Sequence, residues 1–292
     1  MSILSNHVYT IVSRGQVNDN NVALDLLGGN SENGTQCQLW EDSTTKDVFN
    51  QQWIIQEVPG QPGTYTLRNL RSGTYLDLDN ASKQNGAKIQ GWANVVGTSY
   101  AKDQQWKFIA NGPYFKIQNV GSQTFIDIFE KNYTPGTKVH GWQPYPTESQ
   151  DWVIHRVSRT ADEIKAILYK NPHIPPTCQT YLQDGLYVMV PKGARDEIYA
   201  KSGLKTTKWR NQIFDCDDFS FVTKAEVAKW GNSELKADGI AILWGVIFGS
   251  KGSIGHAYNF FLNDTMDAVV FFEPQNGEEY SDIGYQGYFS VF

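Results

Sequence analysis

The stretches ALDLLGGNSENGTQCQLW (residues 23–40), YLDLDNASKQNGAKIQGW (75–92) and FIDIFEKNYTPGTKVHGW (125–142) are three copies of one pattern. In each copy an Asp, a Gly and a Trp keep the same mutual spacing, and successive copies are separated by 52 and then 50 residues. Because three unrelated markers share one period, the first half of the chain is a repeat architecture.

Each repeat consists of short segments that alternate apolar and polar residues, which predicts β-strands between turns. Alternating segments open the three repeats at Tyr9–Val12, Tyr65–Asn69 and Phe115–Asn119. Each repeat closes on Gln-x-Trp, at Trp53, Trp106 and Trp152. This pattern resembles the ricin-type β-trefoil lectins. The resemblance implies an all-β β-trefoil over residues 1–156, built from three repeats of about 50 residues, with these tryptophans in its core.

The Asp of each L-D-L or I-D-I strand points to the face opposite its apolar neighbours. In trefoil lectins, this Asp accepts hydrogen bonds from sugar hydroxyls. The aromatic residue fifteen positions later stacks on the sugar, and a polar residue before Gln-x-Trp completes the pocket. The predicted carbohydrate-binding residues are Asp25, Trp40 and Asn50; Asp77, Trp92 and Asp103; and Asp127, Trp142 and Ser149. The alternative is that each Asp only satisfies the amides of a turn.

Composition excludes several classes of function. With 25 basic against 31 acidic residues, the net charge of -6 argues against a nucleic-acid partner. The longest apolar run, residues 239–249, is too short to span a membrane. The first residues, MSILSNHVYT, lack the features of a secretory signal, which predicts synthesis in the cytoplasm.

The second half of the chain changes character, and we expect an α+β domain over residues 157–292. In SRTADEIKAILYKNP, apolar residues at helical spacing follow a Ser/Thr/Asp start signal. A second helix is predicted from about Asp217 to Trp230, with Gly231 as its stop. Cys216 lies at the first turn of this helix, where the helix dipole favours a thiolate.

A thiolate nucleophile needs a base, and His256 opens the alternating strand HAYNFFL. After the turn NDT, a second strand, AVVFFEP, ends near Glu273. A hairpin centred on Asp264-Thr265 would place His256 directly opposite Glu273, which can then orient the imidazole. Cys, His and a polar orienter follow one another in this order in papain-like proteases. Taken alone, Cys216 and His256 are equally compatible with structural roles.

The segments WRNQIFDCDDF, GHAYNFF and FFEPQNG after a three-repeat trefoil resemble the Marasmius oreades agglutinin family of mushroom chimerolectins. This resemblance spans essentially the whole chain. It implies a trefoil lectin fused to a calcium-activated, papain-like cysteine protease domain that also mediates homodimerisation. By motif, the catalytic residues are Cys216 as nucleophile, His256 as base and Glu273 as orienter. Trp209 contributes to the oxyanion site, with Gln212 as its rival.

The sequence also departs from papain itself. No C-G-S-C-W surrounds Cys216, and Arg210 stands where papain carries its oxyanion-hole Gln. Asp215 and two further carboxylates crowd the cysteine, and this negative charge raises a thiol pKa. Carboxylates joined by amide oxygens suit Ca²⁺, with Mn²⁺ as a substitute. The expected ligands are Asp217, Asp218, Gln275 and Asn276, with Glu278 and Asp282 as weaker choices. The alternative is that Asp215 or Asp217 only caps the helix.

The sequence therefore predicts a glycan-binding lectin, for galactose-type or sialylated glycans, that carries a calcium-dependent cysteine endopeptidase. Its expected partners are cell-surface glycans, a protein or peptide substrate and a second copy of the chain. The expected role is that of a fungal defence toxin that acts on target cells after release or ingestion. The alternative is a non-catalytic dimeric lectin whose C-terminal domain only mediates dimerisation.

Overall fold

The computed structural model describes residues 3–17, 20–41 and 46–292. The chain forms two compact units. The first comprises Met1–Val157 with Leu235–Asp238, and the second comprises Ser158–Glu234 with Gly239–Phe292. Leu235–Asp238 belongs to the first unit because the backbone N–H groups of Lys236 and its successor donate to the Leu70 carbonyl.

The described part of the first unit is an antiparallel β structure in which the first and last strands pair. The segments predicted to open the three repeats, Tyr9–Val12, Tyr65–Asn69 and Phe115–Asn119, all lie within strands. The strands are β1 (His7–Val17), β2 (Asn20–Leu26), β3 (Thr35–Glu41), β4 (Gln52–Glu57), β5 (Tyr65–Asn69), β6 (Tyr75–Leu78), β7 (Ala87–Trp92), β8 (Trp106–Asn111), β9 (Tyr114–Asn119), β10 (Phe125–Ile128), β11 (Val139–Trp142) and β12 (Trp152–Arg156).

The Gln-x-Trp tryptophans fill the core of this unit. Trp53, Trp106 and Trp152 are each 0% exposed and belong to one apolar cluster. Their indole N–H groups donate to backbone carbonyls of β2, β6 and β10 at 3.1, 2.9 and 3.3 Å, so the polar edge of each buried ring is satisfied. The predicted core role of these residues is confirmed.

A glycine of each repeat joins it to the next one. Gly34, Gly86 and Gly136 have φ angles of 89°, 88° and 89°, a region that side chains with a Cβ rarely adopt. The Gly34 N–H donates to the Gly91 carbonyl of the second repeat, and the Gly86 N–H donates to the Gly141 carbonyl of the third. Gly136 donates to the Leu39 carbonyl of the first repeat. The three repeats therefore close into a ring.

The second unit is α+β. The elements are β13 (Ser158–Thr160), α1 (Ala161–Leu168), β14 (Gln179–Tyr181), β15 (Leu186–Val188), α2 (Lys192–Ser202), α3 (Cys216–Glu234), β16 (Ala241–Ile242), β17 (Gly245–Lys251), β18 (Ile254–Leu262), β19 (Val269–Glu273), β20 (Glu278–Tyr280) and β21 (Gln286–Val291). One sheet has the order β14-β21-β17-β18-β19-β20, and a smaller one has the order β13-β15-β16. No helix in the described ranges is long and apolar enough to cross a membrane.

Helix α1 begins as predicted, because Thr160 and Glu163 form a reciprocal capping box. The predicted end of the helix that starts near Asp217 is wrong. Helix α3 continues through Gly231 to Glu234. Gly231 is buried, and a Cβ on it would lie 2.5 Å from the Ile242 Cδ1. This glycine therefore permits close packing of α3 and does not end it.

The predicted register of the hairpin is also wrong. Strands β18 and β19 pair Asn259 with Phe272, and the connecting loop is closed by the Asn263 N–H and the Ala268 carbonyl. The Asn263 side chain accepts bonds from two N–H groups of the loop at 3.0 and 3.1 Å, which stabilises a longer loop than the predicted turn. The register therefore differs by two residues. Because a two-residue shift preserves the face of each side chain, His256 still lies on the same face as Glu273.

Candidate functional site

In every trefoil repeat, the predicted sugar-binding Asp is buried and contacts a polar side chain directly across the strand pair. In the second repeat, the Gln90 Nε2 donates to the Asp77 Oδ1 at 3.1 Å. Sequence reasoning missed this cross-strand residue, although it always lies two positions before the stacking Trp. The equivalent contacts are Gln38 to Asp25 at 3.0 Å and His140 to Asp127 at 3.2 Å.

The second repeat encloses a cavity of about 330 Å³ that brings Asp77, Trp92 and Asp103 together. The Gln104 of Gln-x-Trp donates to the second oxygen of Asp77 at 3.2 Å. Asp77 therefore accepts bonds on both oxygens from side-chain amides. The alternative that this Asp only satisfies turn amides does not describe its bonds.

Asp103 differs from Asp77 because its carboxylate has no hydrogen-bond partner among the described residues, although the residue is only 8% exposed. Burial, followed by the charges of Asp77 and Asp79, raises the pKa of Asp103 to about 6. Burial also raises the pKa of Asp77, against the lowering effect of its two amide donors. The second pocket therefore concentrates negative charge in a confined space.

The third repeat brings Asp127, Trp142 and Ser149 into one network. The Ser149 hydroxyl donates to the Asp127 Oδ2 at 3.1 Å. The His140 ring stacks on Trp142 with centroids 5.0 Å apart. Tyr145 also contacts the Ser149 hydroxyl at 3.1 Å. In this pocket both oxygens of the carboxylate contact side chains that carry a hydrogen-bond donor.

In the first repeat, Asp25 and Asn50 are buried, whereas Trp40 is 44% exposed. The Trp40 ring lies beside Gly136 of the third repeat, where an added Cβ would be 3.8 Å from the ring. The backbone carbonyl of Asn50 accepts a hydrogen bond from the Asn69 side-chain amide at 2.8 Å. All three predicted residues of this repeat lie within the described part of the chain.

In the second unit, Cys216 is the first residue of α3 and is half-buried. Burial raises the pKa of this thiol, and the charges of Asp215 and Asp217 raise it further. The backbone N–H of Ala257 acts in the opposite direction because it donates to the sulfur. The lowering expected from the helix terminus is therefore outweighed.

Glu273 holds His256 at a single nitrogen. Its Oε2 lies 2.6 Å from the His256 Nε2, and its Oε1 accepts the Gln275 N–H at 3.1 Å. The imidazole lies beside the Tyr258 and Tyr285 rings, with centroids 5.7 and 5.0 Å away. Within the described residues, the His256 Nδ1 has no hydrogen-bond partner. One nitrogen is therefore fixed and the other remains available.

Cys216 and His256 belong to elements that pack against each other. Helix α3 contacts β18 through the Ala257 N–H at the sulfur and through the Asn259 side chain, which donates to the Ser220 carbonyl at 3.0 Å. Ala257 is the residue that follows His256 in β18. In the described chain, no hydrogen bond joins the thiol to the imidazole. Such bonds often tighten only when substrate is present.

The two residues predicted for the oxyanion site lie in the loop before α3. Trp209 is 47% exposed. Gln212 has a φ of 63°, and its backbone N–H donates to the Asp215 carboxylate at 3.0 Å. Between them, Arg210 pairs with Phe214 and closes a tight turn. Among the described residues, neither Trp209 nor Gln212 forms a hydrogen bond with Cys216, and their role in an oxyanion site stays a prediction.

Three carboxylates, those of Asp215, Asp217 and Asp218, lie next to Cys216 in the chain. An oxygen of Asp215, an oxygen of Asp217 and the Cys216 sulfur all lie within 4.8 Å of one another. Asp218 accepts the Asp215 N–H at 3.0 Å, so one of its oxygens is engaged. The Asn276 amide group donates within its own turn, to Glu278 and Tyr280. Among the acidic and thiol groups of the described residues, Asp217 is the one predicted ligand that lies close enough to others to share an ion, and its neighbours are Asp215 and Cys216.

Comparisons with known proteins agree with the two-unit architecture. A family model described as ricin-type beta-trefoil lectin domain-like matches residues 3–92 and 102–168. A second model, described as agglutinin C-terminal, matches residues 187–279. A search of curated proteins found no match.

Two solved structures are similar to this chain over the full length of both chains. One is Polyporus squamosus lectin bound to the human-type influenza-binding epitope Neu5Acα2-6Galβ1-4GlcNAc, with 35% identity and a TM-score of 0.87. The other is PSL1a in its E64 complex, with 34% identity and a TM-score of 0.86. On this evidence, the chain belongs to the family of lectins that join a ricin-type β-trefoil to an agglutinin C-terminal domain.

Proposed function

We propose that the trefoil unit binds galactose-containing glycans, with or without sialic acid, and that the second unit is a calcium-activated cysteine endopeptidase. The observation that carries the glycan proposal is the cavity in which Asp77 and Asp103 face Trp92. Carboxylate acceptors beside an aromatic platform are what a pyranose ring requires. The ligand of the Polyporus squamosus lectin, which contains galactose and sialic acid, supports this ligand class for the trefoil unit as a whole.

The glycan proposal is tested by calorimetry with lactosamine and its sialylated form. We expect that replacement of all three stacking residues, Trp40, Trp92 and Trp142, by Ala abolishes binding because no platform remains. The control is Ile109→Ser, which removes an exposed apolar side chain outside the pocket. Unchanged binding by the triple variant would contradict the proposal.

The observation that carries the endopeptidase proposal is the bond between His256 and Glu273 on the strand that packs against Cys216. In the proposed reaction, the thiol passes its proton to the His256 Nδ1, and the sulfur bonds to the scissile carbonyl carbon. The imidazolium returns the proton to the leaving amine as the amide C–N bond breaks. Water then hydrolyses the thioester, and Glu273 orients and stabilises the imidazolium throughout.

Asp217, Asp218, Gln275 and Asn276, together with Asp215, would hold Ca²⁺, with Mn²⁺ as a substitute. When bound, the cation would supply positive charge next to a sulfur that Asp215 and Asp217 otherwise crowd. Gln275 and Asn276 belong to the turn whose first N–H groups bond to Glu273. Binding in this turn would therefore also order the group that holds His256.

The peptidase test measures cleavage of casein with and without millimolar Ca²⁺, together with covalent labelling by E-64. This epoxide reagent alkylates reactive thiols, and the E64 complex of PSL1a motivates its use here. We expect calcium-dependent cleavage and labelling that Cys216→Ala abolishes. The matched control is Cys178→Ala, which removes a buried thiol. Cleavage that a chelator leaves unchanged would contradict the calcium requirement.

The alternative is a dimeric lectin without catalysis. The raised pKa of Cys216 favours it, because a protonated thiol is a poor nucleophile. Intact glycan binding with neither cleavage nor labelling in Ca²⁺ would support this alternative. In either case we propose a homodimer, whose paired lectin units add avidity and whose mass light scattering measures. As a defence toxin, the protein would be made in the cytoplasm and act after release or ingestion.

A further inference from the structure

The three trefoil pockets share a backbone but differ in charge. Two positions after the conserved Asp, the second repeat carries a carboxylate where the others carry apolar side chains. The residue before Gln-x-Trp is again a carboxylate only in the second repeat. The two sets of equivalent residues are Leu27, Asp79 and Phe129, and Asn50, Asp103 and Ser149. The second pocket therefore holds three carboxylates where each of the others has one at these positions.

Asp103 is the one of these carboxylates whose bonding capacity is unused. The residue is more than nine-tenths buried and lines the cavity of about 330 Å³, and its carboxylate has no hydrogen-bond partner among the described side chains and backbone groups. Asp77 is already bonded on both oxygens by amide groups. Burying an ionisable group without a partner is unfavourable, so Asp103 is suited to a donor that arrives with a ligand.

The remaining lining favours a cationic donor. Trp92 and Tyr100 line the same cavity, and aromatic faces attract ammonium groups. No Lys or Arg lines the cavity among the described residues. An acidic sugar would meet three carboxylates without a compensating cation, whereas a protonated amine would meet three carboxylates and two aromatic rings. The pocket therefore discriminates by ligand charge.

We propose that the second-repeat pocket selects sugars that bear a protonated amine, meaning hexosamines without the N-acetyl group, and rejects acidic sugars. This inference rests on the proposed lectin function and assigns a ligand class to one of its pockets. The third pocket lacks these additional carboxylates, since Ser149 and Phe129 occupy the equivalent positions, and it has no such preference for a cation.

The test compares galactosamine with galactose by calorimetry on the full chain at pH 7. The indole N–H resonance of Trp92, assigned through Trp92→Phe, reports which pocket is occupied. We expect galactosamine to bind about tenfold more tightly at this pocket, because several opposite charges contribute in a partly desolvated site. Asp103→Asn should reduce this ratio about threefold. Asp79→Asn should also reduce the ratio of the galactosamine to the galactose affinity.

The charge-matched control is Asp196→Asn, which removes an exposed carboxylate from α2 in the other unit and should leave the ratio unchanged. Equal affinities for galactosamine and galactose, with galactose binding present, would overturn this inference and leave the lectin function intact. An unchanged ratio in both Asp103→Asn and Asp79→Asn would also overturn it. If neither these sugars nor sialylated lactosamine bind, the lectin function itself fails and the inference fails with it.

Discussion

The second and third trefoil repeats have the same backbone plan and the same buried Trp, yet they treat their central carboxylate in different ways. Asp127 is contacted by a hydroxyl and an imidazole. Asp77 is held by two amides, with the unpartnered Asp103 in the same cavity. The buried Trp is the same in both repeats and stabilises them alike, whereas the residues around the central Asp differ in their chemistry.

The residue before Gln-x-Trp has a different role in the two repeats: one stabilises the fold, and the other is available to a ligand. Ser149 bonds to Asp127 and so completes a network within the protein. Asp103, at the equivalent position, stays unpaired at a cost in stability and keeps its bonding capacity for a ligand. The Asp103 carboxylate is therefore free to bond to a ligand, whereas the Ser149 hydroxyl is already bonded within the protein. The following predictions test this contrast.

The largest effect is expected in the core, where the two repeats should behave alike. Trp106→Ala and Trp152→Ala should each lower the free energy of unfolding by about 3–5 kcal/mol, since each removes a fully buried ring and leaves a cavity. Urea denaturation followed by circular dichroism measures both. Costs that differ by much more than about 1 kcal/mol would show that the repeats have unequal cores.

The next largest effect is expected when the third pocket receives a carboxylate at the position that Asp103 occupies in the second. Ser149→Asp should destabilise the protein at pH 7 by about 1–3 kcal/mol, because it places a carboxylate next to Asp127 and removes a donor. The loss should shrink as the pH falls and one carboxylate takes up a proton. Thermal unfolding at pH 7 and pH 4 measures it. Ser149→Asn is the uncharged control, and equal losses in both variants would contradict an electrostatic cause.

A smaller effect of opposite sign is expected from Asp103→Asn. The pKa of Asp103 is about 6 in the folded protein, against an ordinary value of 3.8. Between these values the folded state holds a proton that the unfolded state has lost, so stability falls as the pH rises through this window. The variant should lack this dependence and gain about 2–4 °C in Tm at pH 7. An unchanged pH profile would contradict the assigned ionisation.

The smallest effect is expected from exchange of the cross-strand residue. His140→Gln reproduces the Gln90 arrangement, so an amide can still donate to Asp127, and unfolding should change by less than about 1 kcal/mol. Glycan binding at the third pocket, measured by the Trp142 indole resonance, should persist. A complete loss of binding would show that the stacking of His140 on Trp142 is required.

The architecture of the first unit was predictable because its signals repeat in register. A single L-D-L strand is weak evidence, but three copies with Gly34 and Trp40 equivalents at one period leave few alternatives. The cross-strand partners were missed because Gln38, Gln90 and His140 differ in type. Their shared feature is position, two residues before the Trp, and that feature becomes meaningful only once the strands are paired.

The second unit was harder to predict because tertiary packing decided its details. Helix α2 was missed because its charge-rich sequence, KGARDEIYAKS, has few apolar residues to show a period. Gly231 was predicted to end α3, but it lies within the helix and allows Ile242 to pack closely against it. The hairpin loop depended on side-chain bonds of Asn263. The pairing of His256 with Glu273 was nevertheless anticipated, because a two-residue error in register keeps both side chains on one face.

The glycine joints at residues 34, 86 and 136 have a consequence for how such a molecule can arise. Each repeat donates one N–H group to a carbonyl of its successor and accepts one N–H group from its predecessor at its own carbonyl, so an isolated repeat would have both groups unmatched. Three separate copies of a single ancestral segment would satisfy every joint as a trimer. Once such copies are fused in one chain, the joints fix the assembly while selection alters each pocket separately, and one scaffold can display three different specificities.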